Sequence, residues 1–382
     1  MRFRVERDEL TDAVTWVART LPTRPTTQLQ VLAGLLLETS DTGLRLSAFD
    51  YEVAAWGEIN ASVVEEGRAL VSGRLLAEIV RSLPAAPVEL AIEPSRAVLT
   101  CGSSRFTLPT LPVEDYPALP GLPEVTGRIG SSAFASAVAQ VAIAAGRDDT
   151  LPVLTGVRIE IAGEKLTLAS TDRYRLAVRE LAWRPEDPDI TGTALVPART
   201  LADAAKSLAA AGAETSIAIG TGPSGEALAG FSCGARHSTT RLIDGQFPDY
   251  RRLLPASAPL SAEILVAPLV DAARRVSLVA ARTAPVMLTF SPGEVVLEAG
   301  AGGEAQAREA IAAIYDGPTL SIAFNPGYLL DGLGQLDSDS VHVGFASDDP
   351  AEAPRKPAVF TGKSTDAGPD YRYLLMPVRL SG

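Results

Sequence analysis

The chain has 382 residues, 46% of them hydrophobic and 21% charged, which suits two or three ordinary globular domains and excludes a stapled mini-protein or a disordered tract. Its two cysteines, Cys101 and Cys233, lie far apart, and even with His237 and His342 they supply neither a disulfide framework nor a four-ligand zinc site, so a metal-free, cofactor-free, cytoplasmic protein is expected. Net charge is −12, with 34 basic against 46 acidic residues; an average surface of that sign repels phosphate and by itself argues against nucleic acid.

Along the chain, the start (Met1-Arg2-Phe3-Arg4-Val5-Glu6-Arg7) has no apolar leader, and the longest weakly apolar stretch, 133–146, is shorter than the ~20 residues that cross a bilayer, so neither export nor membrane insertion is expected. Residues 10–21 carry helical spacing. Leu35-Leu36-Leu37-Glu38 and Leu44-Arg45-Leu46-Ser47 flank the turn Ser40-Asp41-Thr42-Gly43, a hairpin. Residues 75–83 form a second helix, with Ser72 as its expected N-cap and Pro84 as its stop. Residues 88–92 and 97–101 flank Glu93-Pro94-Ser95 as another hairpin. Helical faces follow at 134–142 and 269–277; 303–313 is locally helix-like, although the repeat described next places a strand there.

The pattern occurs three times. Leu76, Leu201 and Leu329 sit in related strings, and Ala13, Ala137 and Ala272 precede Val17, Val141 and Val276 at one helical spacing. Gly34 pairs with Gly156, Asp50 with Asp172, and the stretch from Phe106 through Tyr116 with that from Ser238 through Tyr250. Three units of ~125 residues result, at 1–124, 125–255 and 256–382. Each alternates a helix, strands, a helix and strands, which predicts an α+β fold of antiparallel sheets with no βαβ crossover.

The chemistry-bearing motifs have plain structural readings. Gly220-Thr221-Gly222-Pro223-Ser224-Gly225 fits a dinucleotide loop, but the strand-like Ala227-Leu228-Ala229-Gly230-Phe231 follows where a helix should, so a hairpin loop is expected. Cys233 and His237 have no evident third group to orient them, and no carboxylates stand at an acid–base spacing. A nucleotide-dependent enzyme is therefore the weaker alternative.

Three segments carry a resemblance: 169–178 (Ala-Ser-Thr-Asp-Arg-Tyr-Arg-Leu-Ala-Val), 240–255, and Tyr373-Leu374-Leu375-Met376-Pro377-Val378-Arg379-Leu380. With Phe3-Arg4-Val5-Glu6-Arg7, the Arg24-Pro25-Thr26 turn and the triple repeat, they closely resemble the bacterial DNA polymerase III beta subunits, the sliding clamps, over the whole chain. The scarcity of lysine (Lys165, Lys206, Lys356 and Lys363 only) suggests a GC-rich, actinobacterial type.

The resemblance implies three tandem DNA-clamp domains per subunit and a ring-shaped homodimer around duplex DNA, with two helices per domain lining the channel and sheets outside. It implies no catalysis of its own; the ring would tether the replicative polymerase alpha subunit, the clamp loader, other polymerases and repair proteins. The predicted helices fit a positive lining: Arg19, Arg74, Arg81, Arg199, Lys206, Arg274, Arg275 and Arg282 outnumber Asp12, Glu78, Asp203, Asp271 and Asp331. Arg24, Arg74, Arg81 and Arg199 are the expected DNA-channel contacts. Leu154, Thr171, Arg173, Tyr174, Arg175, Leu176, Pro248, Arg252, Leu253, Leu374, Leu375, Met376, Pro377 and Val378 match the family's peptide groove, which takes short Gln/Leu/Phe motifs and peptide-like inhibitors. Arg173-Tyr174 stands where many members carry Gly-His, and a specialised second clamp tolerant of an inhibitor is the close alternative. Phe106 and Leu108, with Leu278, match the dimer seam.

Overall fold

The computed structural model describes residues 1–22, 30–41, 43–222, 225–280, 284–300, 305–362 and 370–379. They form two compact units, one of Met1–Phe134, Arg184–Asp187 and Asp203–Leu242, the other of Ala135–Trp183, Pro188–Ala202 and Ile243–Gly382, so the strands of the second repeat are divided between them. Each unit is built on one long sheet, of fourteen strands in the first and twelve in the second, and every strand pair among the described residues is antiparallel.

Six α-helices occur among the described residues, two per repeat: α1 (Arg7–Val17), α2 (Gly73–Ser82), α3 (Ser131–Ala142), α4 (Ala198–Ala209), α5 (Val266–Ser277) and α6 (Pro326–Leu333). α2 shows why they form. Leu76, Ala77, Ile79 and Val80 make a buried stripe, Arg74, Glu78 and Arg81 face out, and Leu83 turns extended before Pro84. Ser72 does hold the N-cap position, yet its hydroxyl makes no capping bond, so the helix is kept by packing against α1 rather than by its cap.

The repeat has physical content. A Cβ on Gly34 would lie 2.5 Å from Leu70 Cδ1, and one on Gly156 would lie 2.7 Å from Leu195 Cδ1, so in both repeats the missing side chain admits a leucine from the neighbouring strand. The paired Tyr116 and Tyr250 are both buried, in two matching apolar clusters: Leu36, Phe49, Ala54 and Leu70 around the first, Ala169, Leu176, Leu195 and Phe247 around the second. The helix-like stretch 303–313 is settled from 307 onward, where Ala307–Ile314 is a strand paired with Glu294–Ala299. Its local propensity yields to a full antiparallel partner.

The strand that ends the second repeat's first-unit portion, Arg236–Arg241, pairs with Val53–Ile59 of the first repeat. Likewise Tyr371–Leu375, near the end of the third repeat, pairs with Arg175–Ala182 of the second. One kind of strand pair thus joins each repeat to the one before it.

Candidate functional site

The site begins at a turn. Strand Lys165–Thr171 passes to strand Arg175–Ala182 through Asp172, Arg173 and Tyr174. Asp172 Oδ1 accepts from the N–H groups of Tyr174 (3.0 Å) and Arg175 (3.1 Å), and Thr171 Oγ1 accepts from Arg173 N–H (3.2 Å). These bonds hold Arg173 at φ 79°, a left-handed conformation that a bulky side chain adopts only when its surroundings impose it. The first repeat carries the same device: Asp50 Oδ1 accepts from Glu52 and Val53 N–H at 3.0 and 2.7 Å, and Tyr51 has φ 74°. Asp50 and Asp172 therefore correspond as turn formers.

The turn projects Tyr174 outward, 56% exposed, while folding Arg175 inward. Arg175 Nε donates to Asp172 Oδ2 at 3.0 Å and Nη1 to Asp331 Oδ2 at 2.6 Å, and its guanidinium lies 4.3 Å over the Tyr328 ring. Burial works against that charge, but the Asp331 hydrogen bond and the field of Asp172 outweigh it and raise the pKa above the ordinary guanidinium value. Tyr328 in turn stacks on Tyr174, centroids 6.4 Å apart. Leu154, Arg173, Tyr174 and Arg175 line a cavity of about 590 Å³ with Tyr328 and Asp331.

Two further segments supply the remaining sequence-assigned residues. The 3-10 turn Tyr250–Leu253 presents Arg252 and Leu253 to solvent beside exposed Pro248. It is anchored by Glu160, whose carboxylate accepts from Tyr250 Oη at 2.9 Å, from Arg158 Nε at 2.6 Å and from Arg251. Burial pushes the Glu160 carboxyl upward, but the hydrogen bonds from Arg251, Tyr250 and Arg158 prevail and hold it below the usual range. The chain's last strand ends at Leu375, and Met376 N–H donates to Tyr174 O at 2.8 Å, which brings the tail onto the turn.

Five of the residues assigned to a groove from the sequence are buried. Thr171, Leu176, Leu374 and Leu375 lie in the core; Leu176 and Leu374 pack with Phe247 and Tyr250, and Thr171 Oγ1 donates to Arg175 O. Strand alternation and the pairing of Arg175–Ala182 with Tyr371–Leu375 put them in the core. Arg175 is buried as well, yet it lines the cavity beside Tyr174. Leu154, Arg173, Tyr174, Pro248, Arg252, Leu253, Met376, Pro377 and Val378 are exposed or half-buried, and of these Leu154, Arg173 and Tyr174 line the cavity. Sequence reading missed Tyr328, Glu160 and Arg251, and it counted Asp331 against a positive channel when that carboxylate is engaged by Arg175.

Of the channel assignments, Arg24 lies outside the described residues. Arg74 and Arg81 on α2 and Arg199 on α4 are exposed, and Arg74 Nη2 also donates to Pro22 O at 2.7 Å. Of the seam residues, Phe106 is half-buried and Leu278 is 83% exposed, but Leu108 is buried in its own unit. Strand Ser104–Leu111 pairs with Arg96–Cys101 over 104–109 and meets Gly67–Ser72 only at Leu111 and Thr110, so its other edge is open along 104–109 among the described residues. Strand Ala307–Ile314 is open in the same way along 307–312.

The catalytic alternatives find no support. Either side of the glycine-rich string, of which Pro223 and Ser224 lie outside the described residues, Glu214–Thr221 pairs antiparallel with Ala227–Cys233, so a strand and not a helix follows it. Cys233 is buried against Ser131 Oγ, and His237 stacks on Trp56, 5.2 Å away, where burial lowers its pKa.

Repeated α+β units, joined by shared antiparallel strands and carrying an exposed aromatic turn beside the chain's tail, define the DNA-clamp class. The comparisons agree. Family models for the N-terminal, central and C-terminal domains of the DNA polymerase III beta subunit match residues 1–120, 128–249 and 251–379. The chain is 54% identical over 385 residues to a beta sliding clamp of Streptomyces coelicolor, covering 100% of both, and 43% identical to the beta sliding clamp homolog GriR of Streptomyces muensis, covering 99% of both. The crystal structure of a sliding clamp (DNA polymerase III subunit beta) from Pseudomonas aeruginosa bound to griselimycin superposes with a TM-score of 0.90 at 28% identity, each chain covered fully. The chain belongs to the DNA polymerase III beta subunit family, the beta sliding clamps.

Proposed function

We propose that two copies of this chain close head-to-tail into a ring around duplex DNA and hold the replicative polymerase and other DNA-processing proteins on it through the Tyr174–Met376 groove. One observation carries the ring. Each repeat is joined to the next by the pairing of a late strand with an early-middle one, 236–241 with 53–59 and 371–375 with 175–182, and the two strands left over for a third such joint, 104–111 and 307–314, both have open edges. Within one chain the series has two ends. A second copy supplies the missing partner for each, which closes the ring and protects two edges that would otherwise template aggregation.

In this reading the domains are 1–124, 125–255 and 256–382, and Phe106 and Leu278 meet across the seam. Leu108 contributes strand backbone, its side chain already lying in the core. Arg74, Arg81 and Arg199 face phosphates without reading bases, so contact is weak and salt-sensitive, and enclosure supplies processivity. The chain performs no catalysis of its own and works in the cytoplasm; no helix among the described residues is long and apolar enough to cross a membrane. Identity of 54% to a beta sliding clamp against 43% to the GriR homolog favours the replication clamp over a specialised copy. The test is retention. Loaded onto nicked circular DNA by its clamp loader, the labelled protein should remain bound through gel filtration and be lost when the circle is cut once; loss from both forms alike would overturn enclosure.

A further inference from the structure

Beyond the groove the tail becomes a strap. Met376 N–H is bonded to Tyr174 O and, two residues on, Val378 N–H donates to Ala323 O at 2.8 Å. Ala323 lies in Leu320–Phe324, the last strand of its sheet, which pairs with Val286–Ser291 on one side and receives the tail on the other. Past Val378 there is a second cavity, of about 560 Å³. Met287, Ser321 and Ala323 come from the sheet, Pro354 and Arg355 from the 3-10 turn Ala353–Arg355, and Val378 and Arg379 from the tail.

The charge of this cavity opposes that of the molecule. Among the described residues no carboxylate lines it, Arg355 and Arg379 are both exposed, and neither makes an ion pair, although Glu352 lies in the field of Arg355. Glu352, the nearby acid on the same segment, is engaged by Lys356 Nζ at 2.7 Å and by Ser347 Oγ at 3.4 Å. In a chain of net charge −12, two exposed guanidinium groups beside Met287, Ala323, Pro354 and Val378 form a place where a carboxylate is attracted and its aliphatic stem can be covered. The cavity shares Val378 with the groove, so one extended peptide can reach both.

We infer that partner peptides seated in the groove carry an acidic flank whose carboxylates are taken by Arg355 and Arg379. The inference rests on the groove reading and adds to it a preference for negatively charged residues beside the apolar anchors. Exposed pairs of this kind contribute modestly and are screened by salt, so two of them give about a fivefold gain in affinity at low ionic strength.

Labelled peptides with one Gln/Leu/Phe core and an Asp-Asp or an Asn-Asn flank at either end should be titrated by fluorescence anisotropy against the full chain and against R355Q/R379Q. At one end the Asp-Asp peptide should bind about fivefold tighter than its Asn-Asn counterpart to the wild type. That gain should shrink at high salt and vanish in the variant, while the Asn-Asn peptides bind both proteins equally. Equal binding of acidic and neutral peptides to the wild type, or a gain that survives in the variant, overturns the inference and leaves the groove standing. If no peptide binds the wild type, the groove reading fails and the inference with it.

Discussion

At the scale of single residues, the site depends on a few buried polar groups that no local pattern announces. Glu160 is one. It faces Tyr250 Oη, Arg251 and Arg158 together, and it thereby fixes the turn that presents Arg252 and Leu253. Its folded carboxyl sits below the ordinary value of 4.5, so its stabilising contribution is complete above that value and is lost as pH falls through the lower folded pKa. Glu160→Gln has no such contribution to lose. The variant should be less stable than wild type by about 1–3 kcal/mol at about pH 6, and the gap should narrow as pH falls below the carboxylate range. Urea unfolding midpoints across that range decide it: a gap independent of pH would mean that the ionised carboxylate is not what holds the turn. Gly332 shows the opposite kind of dependence, on absence. A Cβ there would lie 2.2 Å from Tyr373 Cε1, and the room lets the Tyr373 ring pack on α6 and donate through its hydroxyl to Tyr328 O.

At the scale of elements, the last strand separates core from surface within one residue. Leu375 is fully buried and Met376 is 38% exposed, its N–H bonded to Tyr174 O, so one side chain completes the core and the other is open to solvent although the sequence presents them as one apolar run. Met376→Ala should leave thermal stability nearly unchanged and weaken a Gln/Leu/Phe peptide by about 2 kcal/mol, roughly thirtyfold. Leu375→Ala should lower stability by about 2–5 kcal/mol through the cavity it leaves. Calorimetric titration beside thermal melts separates them; equal peptide affinity in Met376→Ala would remove that residue from the groove. This also marks what the sequence could and could not disclose. The repeat made the antiparallel sheets, the two helices per repeat, the 307–314 strand and the correspondence of Asp50 with Asp172 legible, because each follows from spacing; the left-handed turns that these aspartates form were not. Which of the residues assigned to the proposed groove face outward was not legible, since it is set by the register of 175–182 against 371–375, a pairing across nearly two hundred residues. Glu160 and Tyr328 escaped for the same reason: Tyr250 and Arg251, which Glu160 anchors, and Tyr174 and Arg175, which Tyr328 meets, are distant in sequence.

In the whole molecule, the residues that a second copy would cover are those left exposed at the two open strand edges and the end of α5. Phe106 stands half-buried on the open edge of 104–109, whereas Leu278, at the end of α5, and Ile314 are 83% and 73% exposed, a cost in exposed apolar area that the proposed ring closure would remove. None of the three is fully buried within its own unit. Phe106→Ala with Leu278→Ala should therefore leave each copy folded while weakening association by a few kcal/mol, of which each ~1.4 kcal/mol is a tenfold rise in the dimer dissociation constant. Leu108→Ala serves as the contrast, because that side chain is buried within its own unit and its loss should lower the melting temperature of monomer and dimer alike. Sedimentation velocity over a micromolar dilution series measures the first effect and circular dichroism the second. A double variant that sediments as an unchanged dimer would place the seam on other surfaces and leave the open edges at 104–109 and 307–312 without their proposed partners.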